Sequence, residues 1–309
     1  MAQLIVDGQG TVRGVEGLGG QEREPNTHQD FSWQEHGLEH ARRQSFREAQ
    51  SDNVREVNLW IPSEEWGLIV LSGDKHIGAP GFDWARFQYD SELIINTPNV
   101  WEADMGDICD NLFFHADEET FNLEEQLKML NAWAKAMVDN GKMLTTIGGN
   151  HTEWMSKIGV PFWMLVSGMN GLVPYMRDGG FLNLKFGDAK YKFRLDHKTK
   201  YNSDLNPHHT NHRTFWMNAQ QADIIASAHT HSNSVEQWNL RDEHDVPRTV
   251  TFLKTGSMKK RDAYKDQNGF IPDWQTGSPC VLLNPRKKEV LTASNVQQGV
   301  DLLNKLNQK

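Results

Sequence analysis

Short apolar runs, each closed by a polar or glycine position, recur along most of the chain. Residues 66–72 (WGLIVLS), between Glu65 and Gly73, are continuously apolar, as a strand buried on both faces is. Residues 81–97 then place Trp84, Phe87, Leu93 and Ile94 at helical spacing. Residues 99–105 predict a second strand and 143–147 a third. Between them Leu123, Leu127, Leu130, Ala134, Met137 and Val138 trace one helix face that stops at Asn140-Gly141. Such alternation predicts an α/β layered fold.

The second half reads differently. Residues 181–186 and 191–196 predict a hairpin closed at Gly187-Asp188, and Asn206-Pro207 opens a helix expected to run to about Gln221. Residues 224–227, 249–254, 280–283 and 289–292 are further short strands, so antiparallel members join late. The expected architecture is a four-layer α/β/β/α sandwich with mixed sheets. Residues 1–56 stand apart as a glycine-rich and polar N-terminal extension before a main domain at 57–309. Six glycines between Gly8 and Gly20 make a compliant arm, and residues 35–50 read as a short polar helix carrying Arg42, Arg43 and Arg47.

Composition narrows the class. The 309 residues are 38% hydrophobic and 24% charged, with 11 Trp and 14 Phe, which is core-forming material rather than a disordered chain. Cys109 and Cys280, the two cysteines, give neither a disulfide framework nor a thiolate metal site, which fits a reducing, cytoplasmic setting. The opening MAQLIVDGQG is not a secretory signal, and the longest apolar run, 161–175, is interrupted well short of a spanning helix, so no membrane partner is expected. A net charge of −9 argues against a general nucleic-acid coat but leaves room for a local basic patch. Thirteen histidines beside abundant carboxylates make an Asp/His metal site the first chemistry to test.

Five polar clusters each follow a predicted strand: Asp74-Lys75-His76, the run 106–111 (GDICDN), Gly148-Gly149-Asn150-His151, Asp196-His197 and His229-Thr230-His231. Ligands collect beyond the carboxyl ends of strands in α/β sheets, so these loops are expected to converge. Positions i and i+2 of an extended segment leave one face, which would pair Asp74 with His76 and His229 with His231. Carboxylate, imidazole and amide oxygen suit Mn, Fe or Zn without a thiolate, and this number of loops implies two ions.

DxH, GDxxDN, GNH, a later His and HxH, in this order, resemble the calcineurin-like metallophosphoesterase superfamily over roughly three fifths of the chain. The resemblance implies that Asp74, His76, Asp107 and His231 hold one metal ion and Asp107, Asn150, His197 and His229 the other, with Asp107 bridging. His151 would be the acid or electrostatic helper, and Asp110 would orient a ligand. Residues 255–257 resemble the glycine-serine turn after the last motif. The implied cofactors are two divalent ions, Mn first, with Fe, Zn or Mg as alternatives, and the implied reaction is phosphoester hydrolysis through a metal-bridging hydroxide.

Departures from the family pattern are Ala228 for the glycine before HxH, Thr152 where Asp or Glu is usual, and Asn111 where the protein-phosphatase branch carries arginine. Asn111 and the nuclease-like GDxxDN and GNH place a phosphodiester of a nucleotide or nucleic acid ahead of a monoester. A phosphomonoesterase of small metabolites or nucleotides is the alternative, and a non-catalytic binding or virion-associated protein on this fold is a third reading, against which every ligand position is retained. His208, at i−4 from His212, is the alternative to His197 as a ligand.

Overall fold

Two sheets of unlike burial build the main body, and they account for the two halves of the hydrophobic pattern. The structure, a computed structural model, describes residues 3–6, 12–16, 55–110, 120–157, 173–203, 206–242, 244–260 and 277–308. The chain divides into two units, 1–52 and 53–309. In the first, β1 (Gln3–Val6) pairs antiparallel with β2 (Val12–Glu16), within the glycine-rich segment read as an arm. The helix expected over 35–50 and the long apolar run at 161–172 lie outside the described residues.

The second unit runs β3 (Glu56–Ile61), β4 (Gly67–Ser72), α1 (Trp84–Asn96), β5 (Val100–Asp104), α2 (Leu123–Asp139), β6 (Met143–Ile147), α3 (Asn150–Lys157) and β7 (Tyr175–Met176). It continues with β8 (Gly180–Phe186), β9 (Ala189–Asp196), α4 (His209–Asn218), β10 (Ile224–Ser227), β11 (Ser234–Arg241), β12 (Pro247–Lys254), β13 (Cys280–Leu283), β14 (Val290–Ala293) and α5 (Val296–Asn307). The first sheet is ordered β14-β13-β4-β5-β6-β7 and the second β11-β12-β10-β9-β8-β3. Strands β4, β5, β6 and β7 are parallel, as are β9, β10 and β12, while β13, β14, β8 and β11 bring in antiparallel pairings.

Three apolar layers hold these elements together. Phe87 and Ile94 of α1, Leu130, Trp133 and Met137 of α2, and Val296, Val300 and Leu303 of α5 pack on Leu68, Val70, Val100 and Leu282 of the first sheet. Ile69, Leu71, Ala103 and Val281 from the other face of that sheet meet Leu182, Leu184, Phe193, Leu195 and Ala226 of the second. Phe215 of α4 and its neighbour Ala219 cover Ile225, Val250 and Phe252 on the far side. The layers are therefore α/β/β/α. Gly67 belongs to this packing, because a Cβ there would stand 2.4 Å from the Phe186 ring.

α2 starts in a capping box, with Asn122 and Glu125 bonded reciprocally, and ends before Gly141 at φ 63°. The helix expected from Asn206 is shorter than its pattern suggested. The Asn206 side chain accepts the His208 amide at 3.1 Å and forms a separate turn, so α4 begins at His209 and ends before Ala219 at φ −133°.

Candidate metal centre

The polar clusters follow β4, β5, β6, β9 and β10, whose carboxyl ends lie side by side: Ser72 is in register with Asp104, and Ser227 with Asp196. The loops after β4 and β5 are joined by backbone bonds from Asp74 N to Gly106 O (2.9 Å), His76 N to Asp107 O (3.0 Å) and Ile77 N to Ile108 O (2.8 Å). The Asp107 carboxylate accepts the His151 amide at 2.9 Å, and Asp74 accepts that of His229 at 2.8 Å. Ser257, in the turn after β12, donates its hydroxyl to the Asp74 carbonyl at 2.8 Å.

The i, i+2 pairs do not arise from extended chain. Asp74, His76 and Asp107 each have φ 51°, His229 has φ 72° and His231 φ 55°, so five of the eight non-glycine residues with positive φ in the described chain are candidate ligands. Left-handed conformations cost about 1–3 kcal/mol each and persist where the surroundings over-determine them. The hydrogen bonds above supply that determination. Gly149 is needed for another reason, since a Cβ there would lie 2.0 Å from Asp107 Oδ1.

Three overlapping groups of donor atoms result: Asp74, His76 and His231; Asp107, His197 and His229; and His76, Asp107 and His151. The unbonded Asp74 Oδ1 stands 3.5 Å from His231 Nε2, 3.8 Å from His76 Nε2 and 3.9 Å from His197 Nε2. His76 Nε2 and His231 Nε2 are 3.1 Å apart, and His197 Nε2 is 3.0 Å from Asp107 Oδ2 and 3.2 Å from Asn150 Oδ1. His197 Nδ1 donates to the Met105 carbonyl at 2.7 Å, which turns Nε2 toward the carboxylates. Asp74, Asp107 and Asp110 are all at or below 1% exposure, and so dense a set of buried carboxylates and imidazoles calls for cationic partners. The donor set fits divalent metal ions.

Charge follows from the same geometry. Burial works against ionising Asp74, Asp107 and Asp110, but the neighbouring imidazoles, with Lys259 at 3.5 Å from Asp110, outweigh it and hold all three carboxyls below the usual range. Burial lowers His76 and His229 to about 4, leaving neutral imidazoles, the ligating form. His197 is also penalised by burial, yet Asp107 and Asp74 raise it to about 9.

Asp110 lies 2.5 Å from His76 Nδ1, and its backbone carbonyl is bonded by His151 Nδ1. His151 also packs against Trp154 with ring centres 4.2 Å apart. His208 lies elsewhere, ahead of α4, with its ring 6.1 Å from that of His212, which in turn contacts Glu236 at 3.0 Å. Cys109 is a buried core residue. Asn111 falls outside the described residues.

Sequence reasoning did not reach the layer beneath the centre. Lys75, between Asp74 and His76, points the opposite way into a buried network, with Nζ 2.6 Å from Asp104, 3.0 Å from Glu102 and 2.8 Å from Ser72. The available signal was a lysine set between two candidate ligands. Lys259, by contrast, left none.

No family model matches the chain, and no curated protein matches it either. Solved structures similar to it include vacuolar protein sorting 29 from Cryptosporidium parvum (TM-score 0.39, 16% identity, 74% of this chain and 97% of that one). A predicted phosphoesterase from Streptococcus pneumoniae is also similar (0.33, 13% identity, 75% and 100%), as is Vps29 from Entamoeba histolytica complexed with Zn²⁺ (0.37, 10% identity, 73% and 97%).

Proposed function

We propose that the chain is a dinuclear metal-dependent phosphoesterase that cleaves phosphodiesters of a nucleotide or nucleic acid. The observation that carries this reading is the meeting of Asp74, His76 and His231 with Asp107, His197 and His229 at the carboxyl ends of two facing sheets. Asp107 lies in two of the three donor groups, as a bridging carboxylate requires. Asn150, whose amide oxygen is beside His197, completes the second set.

When bound, divalent ions supply Lewis acidity and lower the pKa of a water that can attack phosphorus. The protein's own groups do the rest. The Asp110 carboxylate fixes the His76 ring so that Nε2 faces Asp74 and His231. The Asp110 carbonyl accepts a hydrogen bond from His151 Nδ1–H, and the ring in its imidazolium form would give the Nε2 proton to a departing alkoxide, a role worth ~10²–10⁴ in rate. Trp154 holds that ring from the side.

Asn111 in place of a phosphate-gripping arginine supports a diester over a monoester. Rates on bis-aryl and mono-aryl phosphate with Mn²⁺ test the choice. The diester is expected to react faster, and a strong monoester preference would reverse the order.

A further inference from the structure

The overall charge of −9 conceals a short stretch of sequence of opposite sign that starts at the candidate ligand His197. From His197 to Asn218 the sequence carries Lys198, Lys200 and Arg213 against the single acid Asp204. Lys198 and Lys200 are exposed, directly after His197, and Tyr201 beyond them is 62% exposed at φ 69°. The Arg213 guanidinium lies 4.3 Å from the centre of the Tyr201 ring, so the aromatic face is held by a cation rather than buried in the core. Arg213 opens a helical stripe with Trp216 and Met217 at i+3 and i+4, and these are 56% and 70% exposed. The same helix packs Phe215 onto the second sheet, so the stripe is fixed to the body that presents His197 and His229.

Exposed aromatic rings among cations, on an acidic protein and adjoining a candidate phosphoester site, match a specific ligand chemistry. Phosphates track the cations, and unpaired bases stack on the rings. We propose that residues 198–201 and the Arg213–Met217 face of α4 form a track for single-stranded polynucleotide leading to the metal centre. This deepens the function proposed above, and it rests on that reading for the use of the strand as substrate. A base-paired duplex offers phosphates but no free base faces, so the surface selects single strands.

Fluorescence anisotropy of the metal-loaded full chain with a phosphorothioate 15-mer of oligothymidylate tests the track independently of turnover, with oligouridylate and a duplex as further arms. Tyr201→Ala is expected to weaken single-strand binding about tenfold, as loss of one base stack would. Lys198→Ala should reduce the slope of log K against log salt by about 0.7, as one lost phosphate contact does. The two single-stranded arms report whether DNA or RNA is preferred, and binding of either supports the track. Equal affinity for duplex, or affinity unchanged in both variants, overturns it. Hydrolysis separates this failure from failure of the functional reading. A protein that cleaves a small diester but shows no gain in kcat/KM with oligonucleotide length keeps its phosphoesterase assignment and loses the track. One that binds oligonucleotides through Tyr201 and cleaves no phosphoester does the reverse.

Discussion

The two sheets differ in what they bring to the centre. Strands β4, β6 and β13 of the first sheet are buried at every position, and three helices cover its outer face. Its loops provide Asp74, Asp107 and Asp110, together with His76, Asn150 and His151. Strands β8 and β9 of the second sheet alternate between buried and more open positions, and its loops bring only imidazoles, His197, His229 and His231. Negative charge is thus fixed on the sheet that the three helices cover, with Lys75 beneath it as a buried counter-charge. Histidines close the site from a sheet whose rim carries the exposed cations and aromatic rings. If the proposed function holds, the difference is a separation of tasks, with carboxylate ligands coming from the first sheet and the surface proposed to meet substrate coming from the second.

The largest expected effect lies on the carboxylate side. Asp107→Asn should reduce turnover by ~10³-fold or more, the scale on which a preorganised electrostatic group is felt, while circular dichroism stays that of the folded chain. Retained activity would remove its bridging role. One step further out, Asp110→Asn weakens the orientation of His76, and titration with Mn²⁺ should show a ~10–100-fold loss of affinity or activity. A null result there would mean that the His76 ring is held by packing alone.

The smallest effect belongs to the second sheet and concerns stability. Burial lowers His208 to about 4, below its ordinary value of 6.5. The unfolded chain takes up this proton near pH 6.5, and the folded chain only near 4. The stabilisation is therefore complete above pH 6.5 and is lost as the pH falls toward 4. His208→Gln should remove about 1–2 kcal/mol of that acid-side loss in urea unfolding. An unchanged slope would show that other groups dominate.

How much of this could be read in the sequence depended on local pattern. β4 was legible because both faces are buried and the run from Gly67 to Leu71 is unbroken, and α2 was legible to its C-terminal stop at Asn140-Gly141. β11 (SVEQWNLR) was not, because it is an edge strand paired only with β12 and mixes polar residues with Val235, Trp238 and Leu240. α5 was missed although Val296, Val300 and Leu303 are helically spaced, since Gly299 interrupts a polar sequence. That glycine lets the helix approach β4, where a Cβ would come within 2.9 Å of Leu68.

The candidate site was legible in residue type and order, because each motif directly follows a strand. Its backbone was not, since left-handed Asp and His residues leave no mark in residue spacing and are dictated by neighbouring loops. The partners of Lys75 were also hidden, because Glu102 and Asp104 come from the next strand of the sheet.

The central claim is that the two sheets jointly hold two metal ions. Metal analysis of the full chain after Mn²⁺ loading and removal of free ion tests it most directly. The account predicts ~2 ions per chain, the occupancy of a two-metal hydrolytic site, with a clear loss in Asp107→Asn. Fewer than one ion per wild-type chain would contradict it.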